Sequence, residues 1–159
     1  MDSSDPLSAL VFKTVADPYV GKLSYFKVFS GIMTPDTTVY NMNQDTNEKI
    51  GKIYVMQGKK QIEVSRLNAG DIGTTTKLTK TKTADTLSSL NNPLQLDVIE
   101  FSKPNMSLAV VPKNKGVEEK IAQGLIKLMD EDTTFVLENH KETHEQILNG
   151  LGDQHIDVI

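Results

Sequence analysis

Three histidines are the residues best suited by type to metal binding or acid–base chemistry: His140, His144 and His155. The first two are four residues apart, a spacing that brings side chains together on a helix. The surrounding residues predict a β-hairpin, on which this spacing does not converge on one metal ion. His155 follows Gly152 and Asp153 at the predicted start of a helix, where free backbone N–H groups make a natural contact point. The residues favour no metal site, and a small metal-dependent enzyme using the three histidines stays an alternative.

Motifs for nucleotide hydrolysis and nucleophilic catalysis are missing from the sequence. The phosphate-binding loop of a GTPase needs G-x-x-x-x-G-K-S/T, and Gly21-Lys22 lacks both the upstream glycine and the following hydroxyl residue. Asn114-Lys115 lacks the aspartate that guanine recognition requires, and no serine lies in a G-x-S-x-G elbow. We therefore expect no catalytic residue and no cofactor site in this chain.

Acidic pairs could supply an acid and a base, but their positions indicate solvated charge. Glu118 and Glu119 lie at the positive N-terminus of a predicted helix, and residues 130–132 close the same helix. Adjacent helical residues do not face a common point. Glu142 and Glu145 lie in a polar loop. The sequence therefore predicts no paired-carboxylate site.

Lysines interleaved with tyrosines in the first half could contact RNA. The densest clusters contain Lys59, Lys60, Lys77, Lys80 and Lys82. Contact with a phosphate backbone needs positive charge but no sequence-specific geometry. Residues 1–92 hold 11 basic and 9 acidic residues, whereas residues 93–159 hold 6 and 12. These five lysines are candidate rRNA contacts, although an ordinary solvated barrel surface accounts for the same residues. If RNA binds there, we expect the acidic second half to face protein or a GTPase domain rather than RNA.

Residues 1–92 have the pattern of an all-β domain. Short β-branched and aromatic segments occupy residues 10–12, 23–29, 39–40, 50–56, 62–64 and 73–78. Clusters of turn-forming residues separate them, including residues 41–47 and 68–71. Five to seven strands at this spacing favour a closed β-barrel, because closure removes exposed sheet edges.

Residues 93–159 have the pattern of an α+β domain. The candidate strands are residues 94–101, 106–111, 135–137 and 146–148. Apolar residues recur at helical spacing from Val117 to Met129, and the last two strands flank a polar loop at residues 139–145. A split βαβ unit with this order would continue with a second helix and a fourth strand. We therefore expect a C-terminally truncated domain from a longer protein.

Several segments in fixed order carry a resemblance to one family. They are residues 10–23 (LVFKTVADPYVGKL), 30–31, 39–41, 69–72, 85–87, 101–104, 110–113, 128–132 and 150–157. Together they resemble the second and third domains of elongation factor G. The resemblance implies a translation-factor β-barrel over residues 1–92, followed by a ferredoxin-like domain over residues 93–159.

The resemblance also implies a function. The expected parent is a translational GTPase that promotes ribosomal translocation, with GTP and Mg²⁺ bound by a GTPase domain outside this chain. Expected partners are the small-subunit rRNA and proteins of the ribosome, the GTPase domain and the distal domains. The chain has no cysteine and no long apolar run, so we expect a cytoplasmic protein without membrane contact.

The resemblance marks one further site and leaves alternatives open. Gly150, Gly152, Asp153 and His155 match a segment that faces the GTPase domain in this family, which implies an interdomain coupling surface. Departures from the family pattern, such as Ala84 where glycine is usual, agree with a divergent relative. A ribosomal-protection factor, another ribosome-associated GTPase and a stand-alone protein- or RNA-binding barrel are the alternatives.

Overall fold

The computed structural model describes residues 2–17, 19–97, 99–112, 116–140 and 145–159. The chain divides into two compact units, Met1–Ile99 and Glu100–Ile159. Neither helix in the described part of the chain has the length and apolar character required to cross a bilayer. His144, together with Asn114, Lys115 and Glu142, lies outside the described residues.

The first unit is built from short antiparallel strands. In its described part they are β1 (Ser8–Asp17), β2 (Gly21–Ser30), β3 (Ile32–Met33), β4 (Thr38–Asn41), β5 (Thr46–Lys49), β6 (Ile53–Gln57), β7 (Lys60–Val64), β8 (Leu67–Asn68), β9 (Ile72–Thr76) and β10 (Thr86–Ser88). Eight strands form one sheet in the order β5-β4-β10-β1-β2-β9-β6-β7, and β3 pairs with β8.

The sheet wraps around a single core. Val39 on β4 and Ile53 on β6 belong to one cluster of buried residues, together with Phe26 on β2. Five inter-strand steps separate β4 from β6, which would place these side chains about 24 Å apart in a flat sheet. The sheet therefore curls, and Met33 and Leu67 of the β3–β8 pair join the same core. The expected β-barrel is confirmed.

Four barrel strands lie outside the segments expected from the sequence: β3, β5, β8 and β10. Residues 41–47 form a turn only in part, because β5 begins at Thr46 and pairs with β4, with Val39 opposite Glu48. The sequence of β5 lacks the apolar alternation typical of a strand, because its inward residue is a glutamate rather than an apolar side chain. β10 is buried between β1 and β4, and the two-residue strands β3 and β8 pair with each other.

The second unit contains β11 (Met106–Val110), α1 (Glu118–Glu131), β12 (Val136–His140), β13 (Glu145–Gly150) and α2 (Asp153–Val158). Its antiparallel sheet has the order β11-β13-β12. This is the order of a split βαβ unit followed by a short helix, so the expected α+β fold is confirmed.

The predicted strand at residues 94–101 does not form over its described residues, 94–97 and 99–101. Instead, the Leu96 N–H donates to the Thr86 hydroxyl oxygen at 3.2 Å, and the Leu94 and Phe101 side chains are exposed. The partner of β11 among the described residues is β13. The hairpin prediction holds, although β12 extends to His140 and β13 begins at Glu145.

Candidate functional site

The five candidate RNA-contacting lysines fall into two groups. Lys59 and Lys60 lie at the turn between β6 and β7, whereas Lys77 follows β9. Tyr54 of β6 is paired with Thr74 of β9 in antiparallel register, so the end of β9 lies beside the start of β6. The β6–β7 turn is at the opposite end of β6, about 15 Å away at the rise of an extended strand. Sheet register therefore separates Lys59 and Lys60 from Lys77, which shares the loop between β9 and β10 with Lys80 and Lys82.

The loop between β9 and β10, residues 77–85, is anchored by a buried carboxylate. Glu48 on β5 is 7% exposed. Its Oε1 atom accepts hydrogen bonds from the Lys80 N–H at 2.7 Å, the Thr81 N–H at 2.9 Å and the Thr81 hydroxyl at 3.2 Å. Thr81 is fully buried, while the Lys80 and Lys82 side chains on either side of it are exposed.

A second buried carboxylate holds the other side of the same loop. Asp85 is 4% exposed, and its Oδ2 atom accepts from the Lys82 N–H at 2.8 Å and the Asn41 Nδ2 at 2.9 Å. Asn41 also donates to the Thr81 hydroxyl oxygen at 3.1 Å. The Asn41 Oδ1 accepts from two backbone N–H groups of the β4–β5 turn. Asn41 therefore links the β4–β5 turn by hydrogen bonds to residues 77–85, called the basic loop from here on.

Two residues with left-handed backbone lie at the ends of the lysine-bearing segment. Lys77 has a φ of 68° and Ala84 a φ of 74°, a region that disfavours residues with a Cβ atom. The Ala84 N–H nevertheless donates to the Val11 carbonyl at 2.7 Å, which holds the strained residue against β1. The structure thus gives a physical reason for the family's usual glycine at position 84.

Ala84→Gly should stabilise the barrel by about 0.5–1 kcal/mol. Removing the Cβ relieves about 1–2 kcal/mol of left-handed strain, offset in part by the greater entropy of glycine in the unfolded chain. Tyrosine fluorescence during urea unfolding measures this effect, because all four tyrosines lie in the first unit and the chain has no tryptophan. Ala9→Gly, at a buried extended position of β1, should destabilise the barrel instead. Equal destabilisation by both variants would contradict the strain argument.

Residues distant in sequence join Lys77 in a groove of about 680 Å³. Its basic and aromatic lining consists of Tyr19, Lys49, Lys52, Tyr54 and Lys77. Lys52 forms an exposed ion pair with Glu63 at 2.8 Å. Lys49 and Lys52 are absent from the clusters expected from the sequence, since sheet register brings them to residue 77. The sequence gives one indication that Lys49 and Lys52 belong together: they flank Ile50 and Gly51 just before β6.

The predicted coupling residues meet at the junction of β13 and α2. Gly150 ends β13, Gly152 precedes α2, and Asp153 and His155 lie in the short helix. The Leu151 N–H donates to His155 Nδ1 at 3.0 Å. That nitrogen therefore carries the lone pair in the neutral ring, and Nε2 donates to the Asp132 Oδ2 at 2.9 Å.

His155 connects three elements of the second unit. Asp132 caps the C-terminus of α1, where its own N–H donates to the Leu128 carbonyl at 2.8 Å. The ring of the buried Phe135 meets the His155 ring edge-on, with centroids 6.2 Å apart. His155 thus couples the start of α2 to the end of α1, although its partner Asp132 lies 23 residues away in sequence.

Gly150→Ala should destabilise the packing of α2 by about 1–3 kcal/mol. A Cβ at this position would lie 2.8 Å from Ile156 Cγ1 and 3.3 Å from His155 Nδ1. Far-UV circular dichroism during urea unfolding follows the second unit, which contains both described helices. The control is Gly124→Ala, since a Cβ there meets no atom within 4 Å and alanine favours a helix interior. An equal stabilisation in both variants would show that α2 does not approach Gly150 closely.

The acid stability of the second unit should depend on Asp132. Burial raises the pKa of Asp132, but hydrogen bonds from the Thr134 hydroxyl and N–H and from His155 outweigh it, so the pKa lies below its ordinary 3.8. A lowered folded-state pKa stabilises the fold above the unfolded value, and this contribution is lost as pH falls through the folded value. Between about pH 5 and pH 3, wild type should lose more stability than Asp132→Asn. Unfolding curves that fall in parallel over this range would contradict the expectation.

Besides His155, the described part of the chain contains one histidine, which lies on a strand. His140 is exposed at the end of β12 and is paired with Glu145 across the hairpin. Within the described ranges, no group of three or more His, Asp or Glu side chains is arranged to hold a metal ion.

Both units match domain families along nearly their whole length. Residues 6–90 match "Elongation factor G domain 2", and residues 101–159 match "Elongation Factor G, domain III". A crystal structure of a protein from Thermus thermophilus is similar to this chain, with a TM-score of 0.83 and 27% sequence identity. The match covers 97% of this chain but 23% of the Thermus protein. The chain therefore belongs to the elongation factor G family, as a domain 2 β-barrel followed by a domain III.

Proposed function

We propose that this chain is the ribosome-docking and interdomain-coupling part of an elongation-factor-G-like translational GTPase that promotes translocation. The observation that carries the proposal is the domain 2 barrel with an anchored loop that presents Lys77, Lys80 and Lys82. Within the described residues, none of these three ammonium groups forms an ion pair. Unneutralised lysines on a rigid loop suit a phosphate backbone, which supports small-subunit rRNA as the partner.

The second domain supplies the proposed coupling function. Gly150, Gly152, Asp153 and His155 lie where a short helix, a strand and the end of α1 are joined by one histidine. The proposal requires a second arrangement of this junction, in which a small displacement of α2 breaks the Asp132 or Leu151 contact of His155. In the proposal, a GTPase domain that binds GTP and Mg²⁺ biases this junction, and distal domains receive the change.

A non-catalytic role for this chain follows from the same proposal. The sequence carries no phosphate-binding loop, and both family matches are to domains 2 and III. The barrel and domain III would then transmit the nucleotide state of a separate domain, without contacting the hydrolysed bond. The proposed location is the cytoplasm, where ribosomes and both rRNA and protein partners are found.

Co-sedimentation with ribosomes tests the function. The full-length protein, incubated with ribosomes at low salt, should pellet with them in the presence of a non-hydrolysable GTP analogue and much less with GDP. The chain alone should bind small subunits weakly, with binding that falls steeply as salt rises. Equal recovery in the supernatant with both nucleotides at low salt would exclude the translational role.

A further inference from the structure

Two buried carboxylates beside the basic loop form no ion pair with its lysines among the described residues. Acidic side chains beside lysines usually form surface ion pairs, as Glu63 does with Lys52. Glu48 and Asp85 instead turn inward and accept hydrogen bonds from backbone N–H groups of the loop. Their charge therefore holds the main chain and leaves the lysine ammonium groups unpaired within the described part of the molecule.

The bonded backbone groups belong to the same residues whose side chains are exposed. Glu48 binds the N–H of Lys80, and Asp85 binds the N–H of Lys82. The side chain between them, Thr81, is fully buried and hydrogen-bonded to Glu48 and Asn41. Thr81 is therefore held inside the barrel, while the lysine side chains on either side of it are exposed to solvent.

Stability alone is a weak explanation for this arrangement. Burying a carboxylate loses its hydration, and well-packed apolar residues often serve a core equally well or better. A buried polar network does, however, specify one backbone conformation, because every alternative leaves a charged group without partners. Here the specified conformation includes the left-handed Lys77 at one end and Ala84 at the other.

We propose that Glu48 and Asp85 are positioning residues, which fix Lys77, Lys80 and Lys82 in the arrangement that docks an RNA phosphate backbone. This inference rests on the proposed function, since it concerns the same lysines. It predicts a change in RNA affinity opposite to the one expected from net charge alone. Removing a negative charge from a surface that binds RNA should strengthen binding through the general electrostatic field, whereas removing a positioning carboxylate should weaken it.

The test compares four variants of the full-length protein in a salt titration against small ribosomal subunits. Glu48→Ala should weaken binding about tenfold near 0.1 M salt, although it raises the net charge by one. Glu48→Gln keeps an acceptor oxygen and should recover most of the affinity. Asp5→Asn, an exposed carboxylate on the barrel, is the charge-matched control and should bind equally or slightly tighter. Lys80→Ala combined with Lys82→Ala reports the direct contacts.

The outcomes separate the two proposals. If the double lysine variant binds like wild type, the proposed RNA contact at this loop is wrong. If it binds weakly while Glu48→Ala binds like Asp5→Asn, the contact stands and the positioning role is overturned. Should Glu48→Ala fail to fold, Asp85→Ala, which removes the oxygen that accepts from the Lys82 N–H, is tested instead, with amide hydrogen exchange measured for residues 79–83. Faster exchange with weaker binding supports positioning, and unchanged exchange or unchanged binding overturns it.

Discussion

Replacing Lys77, Lys80 and Lys82 together by glutamine should weaken binding to small ribosomal subunits by about two to three powers of ten near 0.1 M salt. Each lysine that neutralises a phosphate releases a counterion, so three lost contacts also lower the slope of log affinity against log salt by about two to three. The three ammonium groups have no ion pair among the described residues. Their whole charge is therefore available to the ligand, and the expected loss is large.

The second domain provides a matched control for this change in charge. Lys103, Lys120 and Lys127 are exposed and can be replaced by glutamine with the same loss of three positive charges. Because they lie in the acidic unit, their replacement should change affinity less than about threefold through long-range charge alone. A comparable loss in both triple variants would mean that net charge, rather than the loop, determines binding.

Asn41→Leu should destabilise the barrel by about 3–5 kcal/mol. Asn41 is completely buried and makes four hydrogen bonds, donating to Thr81 and Asp85 and accepting from Asn43 and Gln44. Leucine leaves two backbone N–H groups and a buried carboxylate each short of a partner, and every such group adds a desolvation penalty. Urea unfolding followed by tyrosine fluorescence measures the loss in the first unit alone.

Asn47→Leu is the control for this prediction. Asn47 lies on β5 opposite Tyr40 and is exposed, so the same exchange of side chains breaks no buried network. Its effect should be within about 1 kcal/mol of wild type. If Asn41→Leu unfolds at the same urea concentration as Asn47→Leu, the buried network contributes far less to the barrel than its hydrogen bonds indicate.

The amphipathic helix and the hairpin could be predicted from sequence because their signals are local. Apolar residues from Val117 to Met129 recur at helical steps, and the structure places α1 at Glu118–Glu131. The hairpin follows from two apolar segments around a polar one, and its strands pair in register from Val136 to His140. Neighbouring residues carry this information, so no knowledge of distant partners is needed.

The strand β5 could not be predicted, because the hydrogen-bond partners of its buried glutamate are distant in sequence. Read alone, residues 46–49 are a polar stretch typical of a turn. Only the packed barrel shows that Glu48 points inward and accepts the backbone N–H groups of Lys80 and Thr81, more than thirty residues away. A buried glutamate is stable only where such partners exist, and they are assembled by folding.

The sequence by itself determined that a β-barrel is followed by an α+β domain, and it determined the family resemblance. Both depend on local strand and helix patterns and on the order of motifs, which require no knowledge of distant contacts. The tertiary structure alone decided which lysines lie near one another and which carboxylates hydrogen-bond the backbone of the loop that carries them. Sheet register separates Lys59 and Lys60 from Lys77 and brings Lys49 and Lys52 beside it. The packing of α2 against the end of α1 likewise gives His155 its partner Asp132. The reason is physical: spacing along the chain sets local conformation, whereas charge and hydrogen-bond partners are set by which strands and helices pack together.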